Sequence, residues 1–156
     1  MQIVFQLLSN PSVTRDGWYI DDILVTGSAS STTTSTIPSS PQLTLALNQA
    51  LFHRGDTLVL TAVISPSQIP RSVDVYIALQ LPDGTLFFMQ ADGSFTPEIR
   101  PVVRNWTVAP FNAVIFRYTF NGQEPVGPYR WLAAFTEPGT FTIVGEIAQA
   151  PFTFAP

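Results

Sequence analysis

Cysteine and lysine are both absent from this chain, and histidine occurs once, as His53. Without cysteine there is no disulfide, no thiolate nucleophile and no zinc–thiolate site. With one histidine, a Ser-His-Asp triad or a His-based zinc centre has almost nothing to draw on. Charged residues make up 12% of the 156 residues, about half the usual share. The basic residues are Arg15, Arg54, Arg71, Arg100, Arg104, Arg117 and Arg130, scattered along a chain of net charge −4. Nucleic acid demands a clustered basic surface, so it is not an expected partner. No apolar run approaches the roughly 18 to 20 residues that span a bilayer, so no membrane span is expected. The start, Met1-Gln2-Ile3-Val4-Phe5, lacks the basic and apolar regions of a signal peptide, so an exported parent would carry its signal upstream. Zero cysteine is neutral on compartment, because a sandwich of this size does not need disulfides.

What is present is apolar and hydroxyl-rich. Apolar residues make up 46% of the chain, too many for a disordered tail. Three zones follow. Residues 1–26 hold two strand-like runs, Ile3–Leu8 and Trp18–Thr26, joined by turn formers from Ser9 to Gly17. Residues 27–41, GSASSTTTSTIPSSP, contain no charge and read as a low-complexity linker. Residues 42–156 repeat a rhythm of strand and turn.

In that third zone Leu58, Leu60, Ala62 and Ile64 alternate with Thr57, Val59, Thr61 and Val63. Val73, Val75, Ile77 and Leu79 alternate with Asp74, Tyr76, Ala78 and Gln80, a period of two. Leu81-Pro82-Asp83-Gly84 is a turn, with Pro presetting φ and Gly supplying a positive φ. It returns the chain into Thr85–Gln90. Further strands are expected at Val102–Val108, Asn112–Phe120, Tyr129–Thr136, Thr140–Ala148 and Phe152–Phe154, with breaks at Asn121-Gly122 and Glu137-Pro138-Gly139. No segment shows a sustained helical period. The spacing predicts an all-β fold, an antiparallel β-sandwich rather than a parallel α/β sheet.

Two resemblances attach to particular residues. Asp16-Gly17-Trp18-Tyr19-Ile20-Asp21-Asp22-Ile23-Leu24-Val25, after Phe5-Gln6-Leu7-Leu8-Ser9, resembles the closing strands of MAM-like jelly-roll domains. Such domains are appended to secreted bacterial proteins, including immune-inhibitor-A-type metalloproteases. The resemblance implies that 1–26 is the C-terminal hairpin of a truncated jelly roll. From Gln42 onward the chain resembles immunoglobulin-like modules of bacterial secreted and surface proteins. It does so through Leu79-Gln80-Leu81-Pro82-Asp83-Gly84-Thr85-Leu86 and Gly127-Pro128-Tyr129-Arg130-Trp131. The latter is similar to a tyrosine corner, in which a Tyr near a strand start hydrogen-bonds back to nearby backbone. Tyr118 sits on a strand without that signature.

Candidate sites are few. His53 precedes Arg54-Gly55-Asp56, and both the histidine and the tripeptide read as turn chemistry. Asp16, Asp21 and Asp22 are the candidate calcium ligands. Strand alternation sends Asp21 and Asp22 to opposite faces, and calcium takes six to eight oxygens. In jelly rolls of the resembled type a carboxylate here contributes to such a site, which makes calcium the one cofactor to consider. Glu98, Glu124, Glu137 and Glu146 fall in or beside different turns and strands, with nothing pairing two for glycoside chemistry. Asn105-Trp106-Thr107 fits the glycosylation pattern. Trp106 and Tyr76 read as core packing or sheet-face pairs, with sugar stacking as the alternative.

The expected function is a non-catalytic structural or adhesive module of a larger secreted or cell-surface bacterial protein, with an extracellular or surface location. Its expected partners are the other domains of the parent and, through the apolar residues of 1–26, further copies of the chain. One alternative is the accessory C-terminal region of an exported protease whose catalytic domain lies upstream; another is a carbohydrate-binding module. A zinc-binding helix or serine-protease motif upstream of Met1 would favour the protease.

Overall fold

The computed structural model describes residues 39–156. The chain divides into two compact units, Met1–Thr34 and Ser35–Pro156, and the described residues belong to the second. The strand runs expected at Ile3–Leu8 and Trp18–Thr26 lie outside them, as do the candidate calcium ligands Asp16, Asp21 and Asp22.

Strands follow one another as β1 (Gln42–Leu47), β2 (Leu51–Phe52), β3 (Thr57–Ser65), β4 (Ser72–Gln80) and β5 (Leu86–Met89). They continue as β6 (Phe95–Thr96), β7 (Val103–Thr107), β8 (Phe111–Thr119), β9 (Gly127–Thr136) and β10 (Ile143–Phe154). The described residues contain no helix, and so none long and apolar enough to cross a membrane. One sheet has the order β1-β3-β8; the other runs β2-β10-β9-β4-β5-β6, with β7 also on β4. Every pairing is antiparallel except β2 with β10. This is an antiparallel β-sandwich with the strand order of an immunoglobulin-like domain.

The alternation read from the sequence faces the core as expected. Leu58, Leu60, Ala62 and Ile64 are buried, and so are Val73, Val75 and Ile77 opposite them. From β9 come Tyr129, Trp131, Ala133 and Phe135, with Trp131 fully buried. Each such large side chain contributes roughly 1.5–3 kcal/mol by leaving water. The core is not uniform. One end is aromatic: Phe120 stacks on Phe154 at 4.7 Å, and Tyr129 on Phe152 at 5.0 Å. The other end is lined mainly by aliphatic residues.

Four features depart from the sequence reading. Gln42–Leu47 is a separate strand, β1, with Leu45 buried. Pro41, grouped with the linker by composition, is fully buried. Phe95–Thr96 forms a short β6, reached through a turn in which Gly93 has φ of 82°. The segments expected at Thr140–Ala148 and Phe152–Phe154 are one strand, β10. Pro151 does not break it, because Thr153 and Ala155 direct their N–H groups at β2, away from β9. By alternation the missing N–H of Pro151 falls on that same side, beyond the end of two-residue β2. The pairing of β10 with β9 instead shifts register at a bulge between Val144 and Ala148. Gly145 sits there with φ of 78°, and a Cβ on it would lie 3.0 Å from the carbonyl oxygen of Pro41.

Candidate functional site

Each carboxylate with a shifted acidity holds a turn or a strand. Asp74 is buried on β4 and its two oxygens divide their work. Oδ2 accepts from the Gly139 amide at 2.9 Å, and Oδ1 from the Asn105 amide at 2.7 Å. The Gly139 and Asn105 hydrogen bonds lower its pKa against the opposing effect of burial. Asn105 adopts φ of 47° there. Asp83 and Asp92 cap their own turns and are lowered by Thr85 and Ser94 respectively.

Glu124 is the most perturbed. Burial opposes its ionisation, but the Tyr118 hydroxyl at 2.6 Å and the amides of Asn121 and Gly122 outweigh that and lower it to about 2. The same bond, with burial, raises Tyr118 to about 12. Tyr118, on a strand without the corner signature, thus has a hydroxyl partner of its own. Tyr129 makes the expected corner, its hydroxyl donating to the Pro125 carbonyl at 2.6 Å. Burial first, then the Glu124 and Asp83 charges, raise its pKa.

The other candidates resolve into local structure. Asp56 accepts from the His53 amide at 2.8 Å, so His53-Arg54-Gly55-Asp56 is the turn between β2 and β3. Glu98 bonds Arg100 and Glu137 bonds Arg71. Trp106 packs against the core, and Tyr76 pairs with Phe141 on the outer sheet face at 6.2 Å. Asn105 is exposed. Among the described residues, no three His, Asp or Glu side chains group to hold a metal.

The openings between the two sheets are apolar. A cavity of about 370 Å³ lies between the sheets, with Leu45, Ala62 and Ile64 on one wall and Val75, Ile77 and Met89 on the other. Phe111 and Ile115 of β8 and Trp106 of β7 close its side. A second cavity of about 250 Å³ is lined by Leu79, Phe95, Phe116, Tyr118, Tyr129 and Trp131, among others, with Glu124 its only charged residue. The Trp131 indole N–H there is buried without a hydrogen-bond partner among the described residues. Phe95 meets Phe116 edge to face at 5.5 Å. The larger cavity lies toward Phe111 and Ile115, the smaller toward Phe116 and Tyr118.

Sequence patterning did not indicate these cavities. The signal available was the doublet Ile115-Phe116 on β8. Leu60 pairs with Phe116 but Thr61 with Val114, so Ile115 is the extra residue of a bulge. Both residues of the doublet are half-buried.

No family model and no curated protein sequence matches the chain. Among solved structures it is similar to Pseudomonas fluorescens alkylpurine DNA glycosylase AlkC bound to DNA containing an abasic site analog. That match has 11% identity and a TM-score of 0.41, over 76% of this chain and 31% of the other. It is also similar to a Pyrococcus furiosus CARDB domain in complex with di-metal ions. The identity is 17% and the TM-score 0.42, over 74% of this chain and 90% of that one. A third is the sporulation control protein Spo0M of Bacillus subtilis, at 11% identity and a TM-score of 0.33, covering 74% and 48%. The chain thus spans about a third of the glycosylase and about half of Spo0M.

Proposed function

We propose that the chain is a non-catalytic structural or adhesive module of a larger exported bacterial protein, acting outside the cell or on its surface. One observation carries the reading: among the described residues, every carboxylate whose acidity the fold shifts is lowered and hydrogen-bonded to backbone amides of a turn or a neighbouring strand. Asp74, Asp83, Asp92 and Glu124 all bind protons less readily than free carboxylates. A general acid or base works best with a pKa near the operating pH, which for a carboxyl group means a raised one. Here Asp83, Asp92 and Glu124 are hydrogen-bonded in their own turns, and Asp74 ties two remote amides to its strand. Such a module spaces or presents the parent's other domains. The apolar residues of 1–26, including Ile3, Phe5, Leu7, Trp18 and Ile20, supply a means of self-association.

Panels of protease, esterase and glycosidase substrates test this reading directly. The full chain is expected to show no turnover above buffer. Turnover that survives repurification and is lost on Glu124→Gln would overturn it. Light scattering across a concentration series tests the self-association, which is expected to raise the mean mass as concentration rises.

A further inference from the structure

We propose that β8 and the two cavities beside it form an acceptor groove for an extended, uncharged peptide strand with large apolar side chains at alternate positions. The proposal deepens the adhesive reading above.

The first reason is the edge itself. β8 ends its sheet, and among the described residues nothing pairs with its other side. At the opposite edge of that sheet β1 lies against β10; in the second sheet the edge strands β2 and β6 are two residues long and β7 is five. β8 is nine residues long, Phe-Asn-Ala-Val-Ile-Phe-Arg-Tyr-Thr, with one charge and no proline. Natural sheets blunt such edges with lysine, proline, inward charges or short strands; β8 has only its bulge and Arg117. Its free N–H and C=O groups can be identified. Phe120 exchanges backbone bonds with Asp56 and Gly55 on the β3 side. By alternation Tyr118 and Phe116 also face β3, while Arg117 and Thr119 direct their backbone groups to the open side.

The second reason is what lies under a strand placed there. Its inward side chains would meet the larger cavity beside Phe111 and Ile115, and the smaller one beside Phe116 and Tyr118. Strand addition works this way: main-chain bonds give affinity, and pockets for alternate side chains give specificity.

Charge decides the chemistry of the occupant. The larger cavity has no charged residue in its lining. Glu124, the single charge of the smaller, already accepts from Tyr118, Asn121 and Gly122. A charged side chain entering either cavity would find no free counter-charge, so the strand must be uncharged where it faces inward.

The test is a titration of the full chain into a dye-labelled, end-blocked peptide, Thr-Val-Thr-Phe-Thr-Ile-Thr-Val-Thr, read by fluorescence anisotropy. Saturable binding is expected, with at least a tenfold loss when the apolar positions are replaced by Asp. Two further peptides carry backbone N-methyl groups on alternate residues, one set on each edge. One is expected to bind like the parent and the other at least tenfold more weakly, because only one edge faces β8. Arg117→Pro removes an outward N–H without touching the β3 ladder and is expected to weaken binding at least tenfold with the near-ultraviolet circular dichroism unchanged. Absence of binding, equal binding of the two N-methylated peptides, or full binding by a folded Arg117→Pro chain would each overturn the groove. So would a β8-dependent dimer that excludes the peptide, which would assign the edge to a second copy. None of these results bears on turnover, so the non-catalytic reading stands or falls separately.

Discussion

Tyr118, Glu124 and Tyr129 show how single groups hold the far end of the sandwich. Tyr129→Phe leaves the Pro125 carbonyl without its donor and is expected to cost about 1 kcal/mol of stability, read from urea unfolding. Tyr118→Phe is expected to cost a comparable amount, because its hydroxyl also has a partner; a silent Tyr118→Phe would contradict the Glu124 bond. The pair also fixes two arms of the pH profile. Glu124 has a folded pKa of about 2, below its ordinary 4.5. Its stabilisation is therefore present above about pH 4.5 and is lost as pH falls toward 2. Tyr118 is raised from 10 to about 12. Its stabilisation is present below pH 10 and is lost as pH rises through 12. Thermal midpoints across pH should fall in both windows, and Glu124→Gln should flatten both.

Asp74 works between elements. Its carboxylate ties the Asn105 amide of β7 and the Gly139 amide of the turn between β9 and β10 to β4. Asp74→Ala strands two amides and is expected to cost about 2–3 kcal/mol, with accelerated amide exchange at Asn105 and Gly139. Gly145 plays the equivalent part in β10. Its positive φ strains any side chain, and a Cβ would crowd the Pro41 carbonyl, so Gly145→Ala is expected to destabilise by about 1–3 kcal/mol. Retained wild-type stability in that variant would mean that the bulge relaxes freely. Both elements explain what was hard to read from sequence. An Asp at an outward strand position looks solvated, and a proline near a strand end looks like a stop. Which backbone groups each one faces depends on neighbours remote in sequence.

Across the whole molecule the core is filled unevenly, and paired substitutions measure it. Ala62 lines the larger cavity, whereas Ala150 is buried opposite Trp131 on β9. Ala62→Val has space to enter and is expected to stay within about 0.5 kcal/mol of the parent or to stabilise it. Ala150→Val overpacks and is expected to cost about 1–3 kcal/mol. Equal losses in urea unfolding would show that the cavity collapses in solution.

The sequence alone determined the all-β class, the inward sets on β3 and β4, most of the turns and the tyrosine corner. Those depend on two-residue alternation, on glycine and proline backbone limits and on contacts four residues apart, all of them local. The order of strands in two sheets, the place of β8 at the end of its sheet among the described residues, the paired amides under Asp74 and the cavities beneath Ile115-Phe116 were decided only by the tertiary structure. Each depends on which distant segments meet. A period of two specifies which face of a strand is buried, but not which strand lies beside it or how much space remains between the layers.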